Sequence, residues 1–253
     1  GSIHTRFAIG PVTINGNIVG GNQSGDAFLV RSGSIWSEAA IQSITVGGSL
    51  IAGMSIANNK YQSSASIAAD DDIGAVTIGG SIIGNNTAVA SISARGKQMP
   101  PAGSDIAIGS IRVNGRVEHA LIFAGRDAFN ERGNADAQIT SVTVGGDWIA
   151  SSLVAGADAG ADGVFGTQDD RKISGLRVND SANVISRIGN VSIGGQAIGS
   201  DDSAEHFGIV AENIGALTVN GNNVPLVAGA HNDNLLLSPF IDDFFGNFRL
   251  REL

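Results

Sequence analysis

No cysteine occurs anywhere in the 253 residues, so neither a disulfide framework nor thiolate chemistry is open to this chain. Aromatic residues are scarce, at 5%. A core without large rings has to be assembled from small branched side chains, and a wide sugar-stacking cleft lacks its usual platforms. Positive charge is also in short supply: 15 Lys and Arg stand against 24 Asp and Glu, a net charge of −9. That balance argues against nucleic acid and against an anionic membrane surface, both of which need clustered cations. Charged residues of both signs reach only 15%, too few for disorder driven by self-repulsion. No apolar run approaches the roughly 20 residues of a membrane-spanning helix, and helical periodicity is absent almost everywhere. No signal peptide stands at the start. The opening Gly1-Ser2 reads as a cloning remnant, and residues 3–8 read as the run-in to a longer chain.

What is abundant is glycine, 36 residues, about twice the usual 7% share. The glycines fall in a repeat: "IGPVTING" at 9, "IQSITVGG" at 41, "IGAVTIGG" at 73, "IGSIRVNG" at 108, "ITSVTVGG" at 139, "IGNVSIGG" at 188 and "IGALTVNG" at 214. The starting isoleucines are separated by 32, 32, 35, 31, 49 and 26 residues. Each copy alternates apolar and polar residues and is rich in β-branched side chains, which is the signature of a strand. Each then ends in Gly-Gly or Asn-Gly, suited to a sharp corner. A second short apolar run follows directly, as at Ser81-Ile82-Ile83 and Trp148-Ile149-Ala150. A third closes the unit: "SISARG" at 91, "LIFAGRD" at 121, "LVAGAD" at 153 and "LVAGAH" at 226.

Three strands per unit predict one triangular coil. A single coil cannot bury its inward face, but a stack can, because each strand pairs with its counterpart in the next coil about 4.8 Å away. The expected fold is all-β: a right-handed parallel β-helix of about seven coils, the hand following from crossover chirality. One domain spans 1–253, with coils over 3–237, an inserted acidic loop at 156–171 and a C-terminal cap at 238–253. The cap is read from Phe240, Phe244, Phe245 and Phe248, which would cover the open strand edges at the end of the stack; an oligomer contact is the other reading. The variable spacing and short strands speak against a β-propeller. The repeat resembles the β-helical repeats of large exported bacterial surface proteins, with an architecture similar to the pectin-lyase-like class. That resemblance implies an exported protein and supplies no active site.

The longest interval, from Ile139 to Ile188, carries "GADAGADGVFGTQDD" at 156–170, with four aspartates and no basic residue. Counted from Asp158 as position 1, it offers Asp162 at 5, Gly163 at 6, Val164 at 7 through its carbonyl, Asp169 at 12 and Asp170 at 13. A calcium loop wants oxygen at 1, 3, 5, 7 and 12 with glycine at 6. Position 3 is Gly160, and no helix flanks the segment. The run resembles the "DxDGxxGTxDD"-type calcium loops of bacterial surface proteins, and the hard oxygen donors with no nearby His or Cys suit Ca²⁺. The expectation is one structural calcium on Asp158, Asp162, Val164 and Asp169, with Asp170 as a further ligand or a backbone acceptor. Phe165 is expected to turn back onto the coil wall.

Three residues before the repeat start lies an acidic column: Glu38, Asp70, Asp105 and Asp136. At coil spacing these carboxylates repel one another, so either cations sit between them or the loops splay. Asp70-Asp71-Asp72 is a second metal candidate. The outward column Thr13, Thr45, Thr77, Arg112, Thr143, Ser192 and Thr218 is broken by arginine, against a flat ice-binding ladder. His4, His119, His206 and His231 show no metalloprotease spacing; only Glu118-His119 and Glu205-His206 put an acid beside a histidine. Asp127 with Arg126 and Arg95 is the one grouping that a glycan-cleaving site could use. The expected function is therefore non-enzymatic: a calcium-stabilised β-helical segment of a secreted or cell-surface bacterial protein, structural or adhesive, with a glycan or another surface protein as partner. The alternative is a polysaccharide-binding or polysaccharide-cleaving β-helix, a lyase or glycoside hydrolase.

Overall fold

In the computed structural model, the residues described are 1–23, 29–54, 61–62, 64–98, 100, 103–127, 131–200, 205–237 and 247–253. They contain no helix. Three sheets dominate, and the chain visits them in rotation. The first sheet holds the repeat itself: Ile9–Ile14, Ile41–Val46, Ile73–Ile78, Ile106–Val113, Gln138–Val144, Arg187–Ile193 and Asn213–Val219. The second holds two-residue strands: Ile18–Val19, Leu50–Ile51, Ile82–Ile83, Val117–Glu118, Trp148–Ile149 and Ala197–Ile198. The third holds Ser2–Thr5, Ser34–Ser37, Ser66–Ala69, Ala90–Ala94, Ala120–Ala124, Ser152–Ala155, Phe207–Ala211 and Phe248–Glu252. All pairings among these strands are parallel, an arrangement consistent with a β-solenoid.

The register is that of the sequence repeat. Ile9, Ile41, Ile73, Ile108, Ile139, Ile188 and Ile214 stand opposite one another in succession. The Thr column aligns as well, with Arg112 between Thr77 and Thr143. The 49-residue interval leaves this register intact, and the first sheet shifts only between Ile106 and Ile108, where one extra residue makes a bulge. In each interior repeat the first, fourth and sixth positions turn inward, as at Ile41, Ile44 and Val46, each at most 1% exposed. The third sheet adds an inner column of Ile35, Ile67, Ile92, Ile122, Leu153 and Ile209, beside an alanine column of Ala69, Ala94, Ala124 and Ala155 at the tighter corner. Trp148 is the largest side chain fully inside, and its indole N–H donates to the Ser151 carbonyl at 2.8 Å.

Two expectations about strands need correction. The run "LVAGAH" at 226 is not a third strand: residues 224–230 form none. After Val219 the chain turns back through Asn220 (φ 49°) and Gly221 (φ 73°), and Asn222–Asn223 pairs antiparallel with Thr218–Val219. Two successive positive φ values in a two-residue Asn-Gly loop are what a tight hairpin requires. The third strand of the preceding unit is instead Phe207–Ala211. At the far end Phe248 is fully buried, and Phe248–Glu252 lies between Phe207–Ala211 and an antiparallel strand, Asn234–Leu236. Phe240, Phe244 and Phe245 lie outside the described residues.

A second, smaller apolar cluster sits on the outer side of the third sheet. Phe123, Val154 and Val210 project there from three successive strands and meet Ala157, Phe165 and Ile173 of the long interval. The insertion is thus packed down as a second layer.

Candidate functional site

The base of the insertion is a short antiparallel ladder, Ala157–Asp158 against Arg171–Lys172. Phe165 reaches back from its tip and meets Phe123 edge to face, with centroids 5.5 Å apart. Phe165 is 9% exposed, so the tip is pinned to the wall as its sequence suggested.

The acidic residues of the insertion take separate paths. Asp158 is 5% exposed and faces three guanidinium groups: Arg126 at 2.5 Å, Arg132 at 2.6 Å and Arg171 at 3.8 Å. Asp162 and Asp169 stay at the exposed tip. One Asp169 oxygen accepts the backbone N–H of Ala161 at 2.6 Å and of Asp162 at 3.2 Å; the other accepts the Thr167 hydroxyl at 2.6 Å. The Thr167 hydroxyl, followed by these backbone donors, holds the Asp169 carboxyl down at about 2. Gly160 is required beneath it, since a Cβ there would lie 2.4 Å from the Asp169 carboxylate. Asp162 accepts the Val164 N–H at 3.0 Å, and Gly163 has φ of 77°, as the sharp turn demands. Asp170 is 5% exposed, accepts the Gly166 N–H at 2.8 Å, and is pushed up to about 7 by burial.

The five proposed calcium donors are therefore not gathered around one centre. Asp158 belongs to the arginine cluster and Asp170 to the interface with the core, which leaves Asp162, Asp169 and the Val164 carbonyl at the tip. Among the described residues, no three His, Asp or Glu side chains are placed to hold a metal ion.

The members of the acidic column meet different partners, and Oδ1 of Asp136 is buried without a hydrogen bond. Glu38 meets His4 at 3.3 Å and Arg6 at 3.8 Å. Asp70 accepts the Trp36 indole N–H at 3.4 Å, and His4 stacks on that ring at 3.9 Å. Asp105 and Asp136 are each 1% exposed and flank the register shift. Asn134 donates to Asp105 at 2.5 Å and the Ser181 N–H to Asp136 at 2.6 Å. Burial raises both carboxyls above the ordinary range. Lys172 supplies the compensating charge, with its ammonium 2.8 Å from Asp180, 3.3 Å from Glu212 and 3.5 Å from Asp136. Farther up the stack Lys97 lies 2.8 Å from Asp72, whose carboxyl burial raises to about 6. Asp105 is thus held by Asn134 and by the Lys97 N–H at 3.3 Å, and Asp136 by the Ser181 N–H with Lys172 beside its other oxygen.

Three buried carboxylates went unnoticed in the sequence. Glu212 accepts the Ser186 N–H at 2.8 Å, and Glu252 accepts the N–H groups of Ile214 at 2.6 Å and Asn232 at 3.0 Å. Asp233 takes the Val227 N–H at 3.0 Å. For the first two the signal was present: an acid ending a third strand, as in "IVAE" and "RLRE". The grouping of Asp127, Arg126 and Arg95 does not converge on a cleft. Arg126 turns to Asp158, and Asp127 accepts the Glu131 N–H at 2.9 Å.

No protein family, curated protein or solved structure matches the chain.

Two outcomes follow from this geometry. Asp158→Ala leaves three guanidinium groups around a vanished charge and should destabilise by about 3–5 kcal/mol, the usual cost of breaking a buried pair. Limited trypsinolysis should then cut faster at Arg171, Lys172 and Arg177 than in the parent protein. The second concerns pH. The folded carboxyl of Asp170, at about 7, lies above its unfolded value of about 3.9, so between those values the folded state binds more protons and stability falls as pH rises. The stabilisation is complete below about pH 4 and is lost through about pH 7. Asp170→Asn should flatten this part of the pH–stability curve, measured by urea unfolding at successive pH values.

Proposed function

We propose that the chain is a non-catalytic structural element, a right-handed parallel β-helix of about seven coils with a closed C-terminal end, in a secreted or cell-surface bacterial protein. The observation that carries this is the unbroken isoleucine register across seven repeats, including the one that bears the insertion. Such a stack is a rod on the order of 30–35 Å long, from the strand spacing. Its outer first-sheet column is made of short polar and small side chains, Pro11, Ser43, Ala75, Ser110, Ser141, Asn190 and Ala216, which suits a spacer or an adhesive surface better than a catalytic cleft.

In a solenoid each coil contacts only its neighbours, so stability is close to additive along the stack. Deleting Ile41 to Asp72, one whole 32-residue period, should leave a folded rod shortened by about 4.8 Å, measurable by small-angle scattering with circular dichroism as a check on the fold. Unfolding of the deletion variant would count against the solenoid.

Calcium enters this reading only at the tip of the insertion, with Asp162, Asp169 and the Val164 carbonyl as the donors. Support comes from the two exposed carboxylates and the positive φ of Gly163 between them. Calorimetric titration of metal-free protein should give saturable heat with millimolar calcium, and Asp162→Ala should remove it. Absence of heat would leave the loop fastened by protein contacts such as the arginine cluster, Phe165 and the Arg251 bond to the Gln168 carbonyl at 2.7 Å.

A further inference from the structure

The corner between the second and third sheets is built to a strict plan. The strand position facing outward reads Val19, Ile51, Ile83, Glu118, Ile149 and Ile198 up the stack, and the corner position after it reads Gly20, Ala52, Gly84, His119, Ala150 and Gly199. One coil departs from this plan at both positions at once, replacing an aliphatic by Glu118 and a glycine or alanine by His119. His119 is held at φ of 44°, in the left-handed region, as is Ala150 at the same corner position with φ of 43°. One coil thus exchanges an aliphatic and a small residue for two adjacent side chains that can hydrogen-bond, Glu118 and His119.

These two side chains line a polar cavity of about 310 Å³, at the small end of ligand-binding sites. Its other walls are Asn86, Ile149, Ala150, Gly199, Ser200 and Glu205. The two acid-histidine neighbours of the sequence are 87 residues apart, yet the fold brings an acid from each, Glu118 and Glu205, to the same cavity.

The floor is rigid. The His119 N–H donates to Ile149 O at 3.1 Å and its carbonyl accepts from Ala90 N at 3.3 Å. Asn86 stands on a turn fixed by Asn85, whose side chain reaches Gly53 O at 3.0 Å. Ser200 is held by Asn247 through its amide and its hydroxyl. Glu118 is held by Arg116 at 2.6 Å, which compensates its charge.

We propose that this corner binds a neutral saccharide unit. The carboxylates of Glu118 and Glu205 accept from vicinal hydroxyls, the His119 imidazole and the Asn86 amide can each donate or accept, and Ile149 with Ala150 offers an apolar patch to the C–H face of a ring. The lining contains no Lys or Arg, and the nearby Arg116 is already paired with Glu118 at 2.6 Å, so the site offers an anionic sugar no cation. With no aromatic platform in the lining, affinity is weak, and occupancy depends on multivalent presentation of the glycan.

The test is amide chemical-shift mapping of the ¹⁵N-labelled full chain with cellotetraose, maltotetraose and xylotetraose, with tetragalacturonate as the anionic arm and cadaverine as the amine arm. At least one neutral tetrasaccharide should shift residues 118–119, 149–150 and 205, and tetragalacturonate should not. His119→Gly suits the left-handed φ and so keeps the fold; it should weaken binding roughly tenfold, the worth of one good hydrogen bond. Glu205→Gln should weaken it by a similar factor, with the melting temperature unchanged. No shift with any neutral tetrasaccharide, a response to cadaverine or tetragalacturonate instead, or undiminished binding by His119→Gly would overturn the assignment.

Discussion

Parallel strands stacked in register at about 4.8 Å force every residue to sit on its own counterpart in the next coil. That constraint governs which side chains each position tolerates. Isoleucine on isoleucine and alanine on alanine pack without difficulty, which is how a chain with 5% aromatics fills its interior. Charge on like charge does not. The first-sheet strands therefore keep their outward columns nearly free of acids, and the carboxylates collect at the corner after the third strand. There they accept backbone N–H groups: Ser181 to Asp136, Ser186 to Glu212, Ile214 to Glu252. Two lysines, Lys97 and Lys172, supply the counter-charge.

The same constraint explains why the insertion lies where it does. A loop leaving the stack has to return to the same level, or every later coil is displaced. Ala157–Asp158 and Arg171–Lys172 bring the chain out and back as one ladder, and Ile188 resumes directly above Ile139. Having left, the loop is useful to the stack: Phe165 covers Phe123, Val154 and Val210 on the outer face of the third sheet, and Lys172 reaches acids from two levels, Asp136 and Glu212. Charge is therefore exchanged between the insertion and the stack in both directions. Asp158 takes arginines from the wall, and the loop's own lysine serves the corner.

The repeat made the strands of the first sheet and their register legible from the residues alone, because one alignment puts all seven isoleucines in a single inward column, buried from Ile41 to Ile214 and partly buried at Ile9. The third sheet was half legible. "SISA" and "LIFA" stand out as apolar runs, whereas "FGIVA" was passed over for "LVAGAH", whose likeness to "LVAGAD" is a likeness of composition and not of position. The insertion was legible at Gly163 and Phe165, which act through local geometry and a single hydrophobic contact. It was not legible at Asp158. Its partners Arg126 and Arg132 lie 32 and 26 residues earlier, and only stacking one coil on the next brings them beside it. A count of ligand positions along one loop has no access to that neighbour.

The Asn-Gly pairs show where local chemistry stops deciding. Asn114-Gly115 and Asn220-Gly221 end the same repeat motif with the same two residues. The first continues round a corner into Val117–Glu118, held by Asn114 N to Ile78 O and Gly115 N to Gly80 O. The second folds back as a hairpin with both residues at positive φ. Asn-Gly permits either path at little cost. What differs is the strand on the far side: Ile106–Val113 is paired by Gln138–Val144, whereas among the described residues Asn213–Val219 is paired on that side by its own antiparallel return, Asn222–Asn223. The interior of the stack is thus specified by the repeat, and its end by whatever pairs the last edge, a choice made by the neighbouring strand and not by the turn.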